Sequence, residues 1–207
     1  MRAAMLLLVL AAPLVAEETD PFPLQVGTEW TFDIGNDKIF PVPGAQIRFV
    51  VAEKRVAEGQ TAEWTRIDTF GPKDTVPQQM EFYTNDGKFV YLHRRAIIGN
   101  HVDLTPPCPK LPSLPTEGQK WDWHGDFGDQ EAVGKFTVEA YEWCEVPAGK
   151  YPAWRVRYEY EMKDGTKVLS VMWFSPGVGM IQQDDTVTSA GNSQRRIGKL
   201  KLYKAAK

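Results

Sequence analysis

The sequence has 207 residues, of which 43% are hydrophobic and 25% are charged, and its formal net charge is −3. This slightly acidic balance excludes binding to nucleic acid by electrostatic attraction, because that mode of binding needs a basic surface. The length suits a single domain that buries one sizeable core.

The first 16 residues are typical of a secretory signal peptide. Arg2 supplies a positive charge, residues 3–12 form an apolar run, and Pro13 and Ala16 provide a helix breaker and a small residue for cleavage. The apolar run is too short for a stable membrane-spanning helix, which needs ~20 residues. We therefore expect residues 17–207 to form one periplasmic or secreted β domain with no integral membrane segment.

Alternating apolar and polar residues predict β-strands along most of residues 17–207. This two-residue period, which places one face on a core and the other in water, occurs in segments 30–34, 121–123, 136–140 and 154–162. Segment Val168–Phe174 has apolar residues on both faces, as expected of a central or doubly covered strand. No amphipathic helix is predicted after the signal peptide, so the expected fold class is all-β.

Glycine-containing turns predict that neighbouring strands are antiparallel. Asp86-Gly87 and Asp164-Gly165 lie between strand-like segments, and Asp-Gly supplies the positive φ that tight hairpins need. Segment 105–115 differs, because it holds five prolines. Proline removes the donors of a β-ladder, so this segment is interpreted as an extended linker rather than a central strand. The basic C-terminus from Arg195 is expected to be the solvated side of a last strand and a frayed end.

The segments on the two sides of the proline-rich linker resemble each other. Gly-x-x-Trp ends at Trp30 and again at Trp121, and Gly precedes Trp by five residues at both Trp64 and Trp154. Phe82-Tyr83 and Trp173-Phe174 keep the same offset of about 90 residues, as expected of an internal repeat. These landmarks predict tandem half-repeats at about residues 24–95 and 114–185.

Two such halves must share one core, since each exposes a large apolar face. The prediction is one antiparallel, strongly curved sheet or an incomplete barrel. A two-sheet sandwich is the alternative architecture.

The cysteines are Cys108 and Cys144. Export to an oxidising compartment favours a structural disulfide between them, a link typically worth ~2–4 kcal/mol. Two free thiols or a redox pair are the alternatives, although there is no Cys-x-x-Cys motif.

Three stretches resemble a group of exported, uncharacterised bacterial proteins that includes TapB-like proteins. They are Leu24–Phe32, Glu145–Tyr151 with Trp154-Arg155-Val156, and Trp173–Gly179. The resemblance implies a β-rich fold similar to the LolA/LolB half-barrels, which carry lipoproteins across the periplasm. It covers most of the mature chain but concerns turns and core aromatics, so it implies no catalytic residues.

The seven tryptophans are interpreted mainly as core residues, because most of them mark the repeat. Trp123 and Trp143 fall outside the duplicated positions and are candidates for a ligand-binding aromatic surface. Met172 and Phe174, on the doubly apolar segment, are the other ligand-binding candidates.

The sequence lacks patterns that would indicate catalysis or metal binding. His93, His101 and His124 are far apart and do not show the short spacing of zinc ligands. Asp184 and Asp185 alternate across a strand, which is the wrong geometry for a carboxylate pair. No hydrolase elbow, phosphate-binding loop or dinucleotide motif occurs, so no cofactor or catalytic residue is predicted.

We therefore expect a non-catalytic envelope protein that binds a lipid or another apolar or amphiphilic molecule on the concave face of its sheet. The alternative is a periplasmic scaffold that binds another envelope protein through a sheet edge or the proline-rich segment. A hydrolase is a distant third hypothesis, which would need a histidine clustered with acids in a cleft.

Overall fold

The computed structural model describes residues 20–36, 44–56, 62–97 and 99–207. The expected signal peptide at residues 1–16 and the repeat landmark Gly59 lie outside the described residues. The described part of the chain contains strands and no helix. The strands are β1 Glu29–Gly35, β2 Gln46–Val56, β3 Glu63–Phe70, β4 Gln79–Asn85, β5 Phe89–Ile97, β6 Asn100–Pro112, β7 Lys120–Phe127, β8 Gln130–Val146, β9 Gly149–Met162, β10 Lys167–Ser175, β11 Gly179–Ser189 and β12 Asn192–Lys204.

The twelve strands form one antiparallel, closed barrel. Each strand pairs with its neighbours in the sequence, and β1 pairs with both β2 and β12. The all-β, antiparallel prediction is therefore confirmed. The prediction of an open curved sheet or an incomplete barrel, including the LolA/LolB-like half-barrel, is wrong.

The last strand accounts for this difference. The basic C-terminal segment is not frayed, because β12 pairs with β1 from Ile197 opposite Gly35 to Lys204 opposite Glu29. Lys204 Nζ donates to Glu29 Oε1 at 2.6 Å, which adds an ion pair across the closing ladder. Closure gives every described strand a neighbour on both sides.

The two-residue period of β9 shows how the sequence builds the barrel wall. Val156 and Tyr158 are fully buried inside the barrel, whereas Arg155 and Arg157 point outward. Both arginines bond the carboxylate of Glu139 on the neighbouring strand β8. Apolar and aromatic residues thus fill the interior while cross-strand ion pairs cover the outside.

The proline-rich segment lies within the barrel wall, because residues 105–112 belong to β6. The linker interpretation missed this arrangement. The ladder between β6 and β7 has only two residue pairs, Leu104 with Phe127 and Thr105 with Asp126. Beyond them, the Trp123 and Trp121 indole N–H groups donate to the carbonyl oxygens of Pro106 and Pro109, both at 2.9 Å.

The expected disulfide is also wrong, since Cys108 and Cys144 are both free thiols. Cys108 Sγ lies 3.8 Å from the Tyr160 hydroxyl, whereas Cys144 pairs across the ladder with Tyr151. These tyrosines are nine residues apart on β9, about 30 Å at the usual rise of a strand. A disulfide needs Cα atoms within about 7 Å, so the two thiols lie too far apart to be joined.

The segment before β1 closes one end of the barrel. Gly177 N, in the β10–β11 turn, donates to Asp20 O at 3.0 Å. The Phe22 ring packs edge-on against Tyr83 and Phe174, with centroid separations of 5.6 Å and 5.9 Å. The N-terminal segment therefore inserts an aromatic side chain into the barrel interior.

The landmarks of the predicted duplication fall on strands six apart in chain order. Trp30 and Trp121 lie on β1 and β7, and Trp64 and Trp154 lie on β3 and β9. The duplication itself stays a prediction, because it is inferred from the spacing of residues in the sequence.

Candidate ligand-binding cavity

The barrel interior contains a cavity of about 730 Å³. Every second residue of β10 faces this cavity, as the lining residues Val168, Ser170, Met172 and Phe174 show. Small-molecule sites in proteins usually measure ~300–1,000 Å³. The cavity is therefore large enough for an organic ligand.

The cavity runs along the barrel and opens at one end. Near the closed end its lining includes Trp30 and Phe174, each only 4% exposed. At the opposite end it includes Ile97 and Val187, which are 51% and 40% exposed. Phe127 and Met162, the last residues of β7 and β9, lie at the same open end.

One polar cluster in the wall is centred on Glu81 of β4. Its carboxylate accepts hydrogen bonds from Arg95 Nε at 2.8 Å, the Tyr83 hydroxyl at 2.6 Å and Gln79 Nε2 at 3.2 Å. Burial favours a raised pKa for Glu81, but the charge of Arg95 and the bonds from Tyr83 and Arg95 outweigh it and hold the pKa below its ordinary value. Glu81 is thus an ionised and fully paired carboxylate.

Lys110 of β6 faces the same cavity in a different environment. Its ammonium group lies 4.4 Å from the centroid of the Tyr158 ring and 3.4 Å from the Tyr160 hydroxyl. Burial lowers the pKa of Lys110, and the nearby Arg95 charge lowers it further, whereas the electrostatic effects of Cys108, Glu81 and Asp185 oppose this shift. Among the described residues, Lys110 forms no ion pair with a carboxylate.

A second polar cluster is centred on Asp185 of β11. Its carboxylate accepts hydrogen bonds from the Ser170 hydroxyl, from Gln183 Nε2 at 2.6 Å and from Arg196 Nη2 at 3.1 Å. Asp185 is therefore also fully paired.

The balance of charge in the cavity is positive, although the whole chain has a net charge of −3. The lining holds the cations Arg95, Lys110, Arg195 and Arg196, but only two carboxylates, those of Glu81 and Asp185. Arg195 is paired with Asp184, which is not part of the lining. The Lys110 charge is the surplus that remains.

The predicted ligand-binding residues divide into two groups. Met172 and Phe174 both line the cavity. Trp123 does not line it, because its buried ring is turned to the β6–β7 seam. Trp143 is 66% exposed on β8, with the Lys150 ammonium 5.6 Å from its ring centroid.

Sequence reasoning missed the polar residues of the cavity. Simple counting from the Asp86-Gly87 turn places Glu81 opposite Arg94, but the β4–β5 register shifts after Phe82 and brings Arg95 opposite Glu81. Lys110 was missed because it lies in the proline-rich segment that was interpreted as a linker. The alternation of Tyr158 and Tyr160 with charged residues was the available indication that both rings face the interior.

The three histidines lie outside the cavity lining. His93 stacks on Trp64 with a centroid separation of 4.2 Å, while His101 and His124 are exposed and lie near Asp103 and Glu131. Within the described ranges, no group of three or more His, Cys, Asp or Glu side chains is placed to hold a metal ion. No helix in those ranges is long and apolar enough to cross a membrane.

Comparison with known proteins supports the fold and gives a partial family match. A family model described as DUF3108-like matches residues 133–189, from β8 to β11. The crystal structure of a predicted lipoprotein from Parabacteroides distasonis is similar at a TM-score of 0.55 with 13% sequence identity, covering 90% of this chain and 99% of that chain.

A predicted exported protein with a YmcC-like fold from Bacteroides fragilis gives a TM-score of 0.46 with 12% identity, covering 90% of this chain and 100% of that chain. No curated protein matches the chain significantly. At these identities the likeness to the solved structures concerns the fold alone.

Proposed function

We propose that this chain is an exported, non-catalytic envelope protein that binds an apolar or amphiphilic small molecule inside its barrel. The observation that carries the proposal is the cavity of about 730 Å³ with its mainly apolar and aromatic lining. A filled barrel core of the same composition would leave no room for such a ligand.

Export is supported by two independent features. The N-terminal charge, apolar run and small residue at Ala16 are typical of a signal peptide. The structural relative from Parabacteroides distasonis is described as a predicted lipoprotein. Both features favour a location in the cell envelope.

Closure of the barrel weakens the scaffold alternative. A partner that binds by strand addition needs an unpaired edge, and each described strand is paired on both sides. The proline-rich segment is also paired, with β5 along part of its length and with the indoles of Trp121 and Trp123 on its other side.

Binding of a neutral probe tests the proposal. Delipidated protein is titrated with N-phenyl-1-naphthylamine, whose fluorescence rises in an apolar site, and then with hexadecan-1-ol as a competitor. Met172→Trp places a larger ring in the cavity and is expected to weaken probe binding at least tenfold. Leu202→Trp is the matched control, because Leu202 is 61% exposed and does not line the cavity.

The wild type and Leu202→Trp should bind the probe alike, and circular dichroism should show that both variants keep their β structure. If the wild type does not bind the probe or the alcohol, the proposed function is wrong. Equal affinity in Met172→Trp and the wild type would place the binding site elsewhere.

A further inference from the structure

One cation of the cavity lining, Lys110, has no carboxylate ion-pair partner among the described residues. The Lys110 ammonium makes a 3.4 Å contact to the Tyr160 hydroxyl and lies over the Tyr158 ring, at 4.4 Å from its centroid. Among the described residues no carboxylate lies within ion-pair distance of it. Lys110 is half-buried, and a half-buried ammonium group without an ion-pair partner is destabilising, so an anionic ligand would relieve that cost.

Both carboxylates of the lining already pair with other side chains, and neither lies within ion-pair distance of Lys110. Glu81 is held by Arg95, Tyr83 and Gln79 through three hydrogen bonds of 2.6–3.2 Å. Asp185 is held in the same way by Ser170, Gln183 and Arg196. A ligand anion is therefore the available counter-charge for Lys110.

The surroundings of Lys110 suit the head group of an amphiphile. Burial and Cys108 raise the pKa of Tyr160 well above its ordinary value, so its hydroxyl stays neutral and can donate a hydrogen bond. Apolar side chains of Leu104, Met172 and Phe174 line the same cavity, which continues to the open end at Met162. A hydrocarbon chain attached to the anion would thus lie on apolar surface.

We propose that Lys110 Nζ and the Tyr160 hydroxyl bind the carboxylate of a long-chain fatty acid, whose hydrocarbon chain occupies the apolar part of the cavity. This inference rests on the proposed function and names the ligand class. A carboxylate fits because the surplus in the lining is a single positive charge, whereas a phosphate monoester carries about −1.5 to −2 at neutral pH.

Competition experiments test the head group separately from the chain. Hexadecanoate, hexadecan-1-ol and hexadecyl phosphate each displace N-phenyl-1-naphthylamine from delipidated wild type, Lys110→Met and Lys150→Met. Lys150 is the matched control, because it lies over the exposed Trp143 ring outside the cavity. We expect wild type and Lys150→Met to bind hexadecanoate at least tenfold more tightly than the alcohol, and Lys110→Met to bind both alike.

The outcomes separate this inference from the proposed function. If wild type binds hexadecanoate and the alcohol equally, the carboxylate site is wrong while the cavity function stands. If neither ligand binds, the cavity function itself fails. Tighter binding of hexadecyl phosphate than of hexadecanoate would overturn the assignment of a carboxylate.

A measurement on the wild type keeps the inference testable if Lys110→Met does not fold. The carboxyl carbon of ¹³C-labelled hexadecanoate is followed by NMR as a function of pH. Contact with the Lys110 ammonium should lower the pKa of the bound carboxyl below that of the free fatty acid. A pKa at or above the free value would contradict the contact.

Discussion

Glu81 and Lys110 are charged side chains of the same cavity, and their surroundings give them different roles. Glu81 accepts hydrogen bonds from three side chains, so it fixes Arg95 and contributes to the stability of the wall. Lys110 has a ring face and one hydroxyl as its polar partners. Charged residues that are fully paired support a fold, whereas an unpaired one costs stability and indicates a binding role.

Replacing Glu81 tests the supporting role. Glu81→Gln leaves the Arg95 charge without its counter-charge, and we expect a loss of about 2–3 kcal/mol in the free energy of unfolding at neutral pH. This is below the 3–5 kcal/mol typical of a fully buried pair, because the Arg95 side chain is 34% exposed. The measurement is urea unfolding, with Glu117→Gln in an exposed loop as the control.

The pH dependence of that loss has a defined sign. The pKa of Glu81 is lowered in the folded protein, so its contribution is present above the unfolded value of 4.5 and is lost as the pH falls through the lower folded value. The difference between wild type and Glu81→Gln should therefore shrink as the solution is acidified through and below pH 4.5. A difference that does not change with pH would contradict the assignment of an ionised Glu81.

For individual residues, the sequence pointed to apolar side chains of the cavity lining but not to its charged ones. Met172 and Phe174, which line the cavity, were candidates because segment Val168–Phe174 is apolar on both faces. Trp123, the other buried candidate, does not line the cavity, because its indole bonds the neighbouring strand β6. The Glu81–Arg95 pair depends on a register shift that residue spacing does not encode.

The seam between β6 and β7 has fewer paired residues in its ladder than any other pair of neighbouring strands in the described barrel. Proline has no N–H to donate, so β6 offers carbonyl oxygens to its neighbour, and the indoles of Trp121 and Trp123 supply the donors. A Cβ at Gly125 of β7 would lie 2.5 Å from Thr105 O, so glycine permits the close approach of the two strands. The sequence could not reveal this seam, because side chains from β7 replace ladder bonds that proline removes from β6.

Trp123→Phe tests the contribution of an indole donor to the seam. The substitution keeps an aromatic ring but leaves the buried Pro106 carbonyl without its 2.9 Å hydrogen bond. We expect a loss of about 1–3 kcal/mol in the free energy of unfolding, with faster hydrogen exchange of β6 and β7 than in wild type.

Trp143→Phe is the matched control, because Trp143 is 66% exposed. Its free energy of unfolding should stay within about 0.5 kcal/mol of the wild-type value. Equal stability of Trp123→Phe and Trp143→Phe would show that the seam does not depend on the indole bond.

For the whole molecule, the sequence indicated strands and turns reliably because each depends on a few neighbouring residues. Closure depends on residues at opposite ends of the chain, such as Glu29 and Lys204, and local patterns do not pair them. The proposed duplication offers one account of closure, in which two six-stranded halves each complete the other's sheet. The open-sheet prediction followed from two halves that share one core, an argument that does not say whether the first and last strands pair.

The two cysteines are free, although export to an oxidising compartment had favoured a disulfide between them. An oxidising compartment allows a disulfide, but the barrel holds Cys108 near Tyr160 and Cys144 near Tyr151, toward opposite ends of β9. The barrel ladder already connects the N-terminal and C-terminal strands, so the fold does not need a covalent link. The structure therefore predicts two thiols even in protein prepared without reductant.

Thiol labelling checks this prediction. Under denaturing conditions without reductant, a maleimide should add to both cysteines, and mass spectrometry should show two adducts per chain.

In the native protein, labelling should be slow, because the thiolate is the reactive form and burial raises the pKa of both thiols, that of Cys144 to about 11. Native labelling should accelerate as the pH rises toward that value, and Cys144→Ser should leave only the slower Cys108, whose side chain is fully buried. A denatured chain that takes up no maleimide until it is reduced would show that the thiols are joined, which the barrel described above could not accommodate.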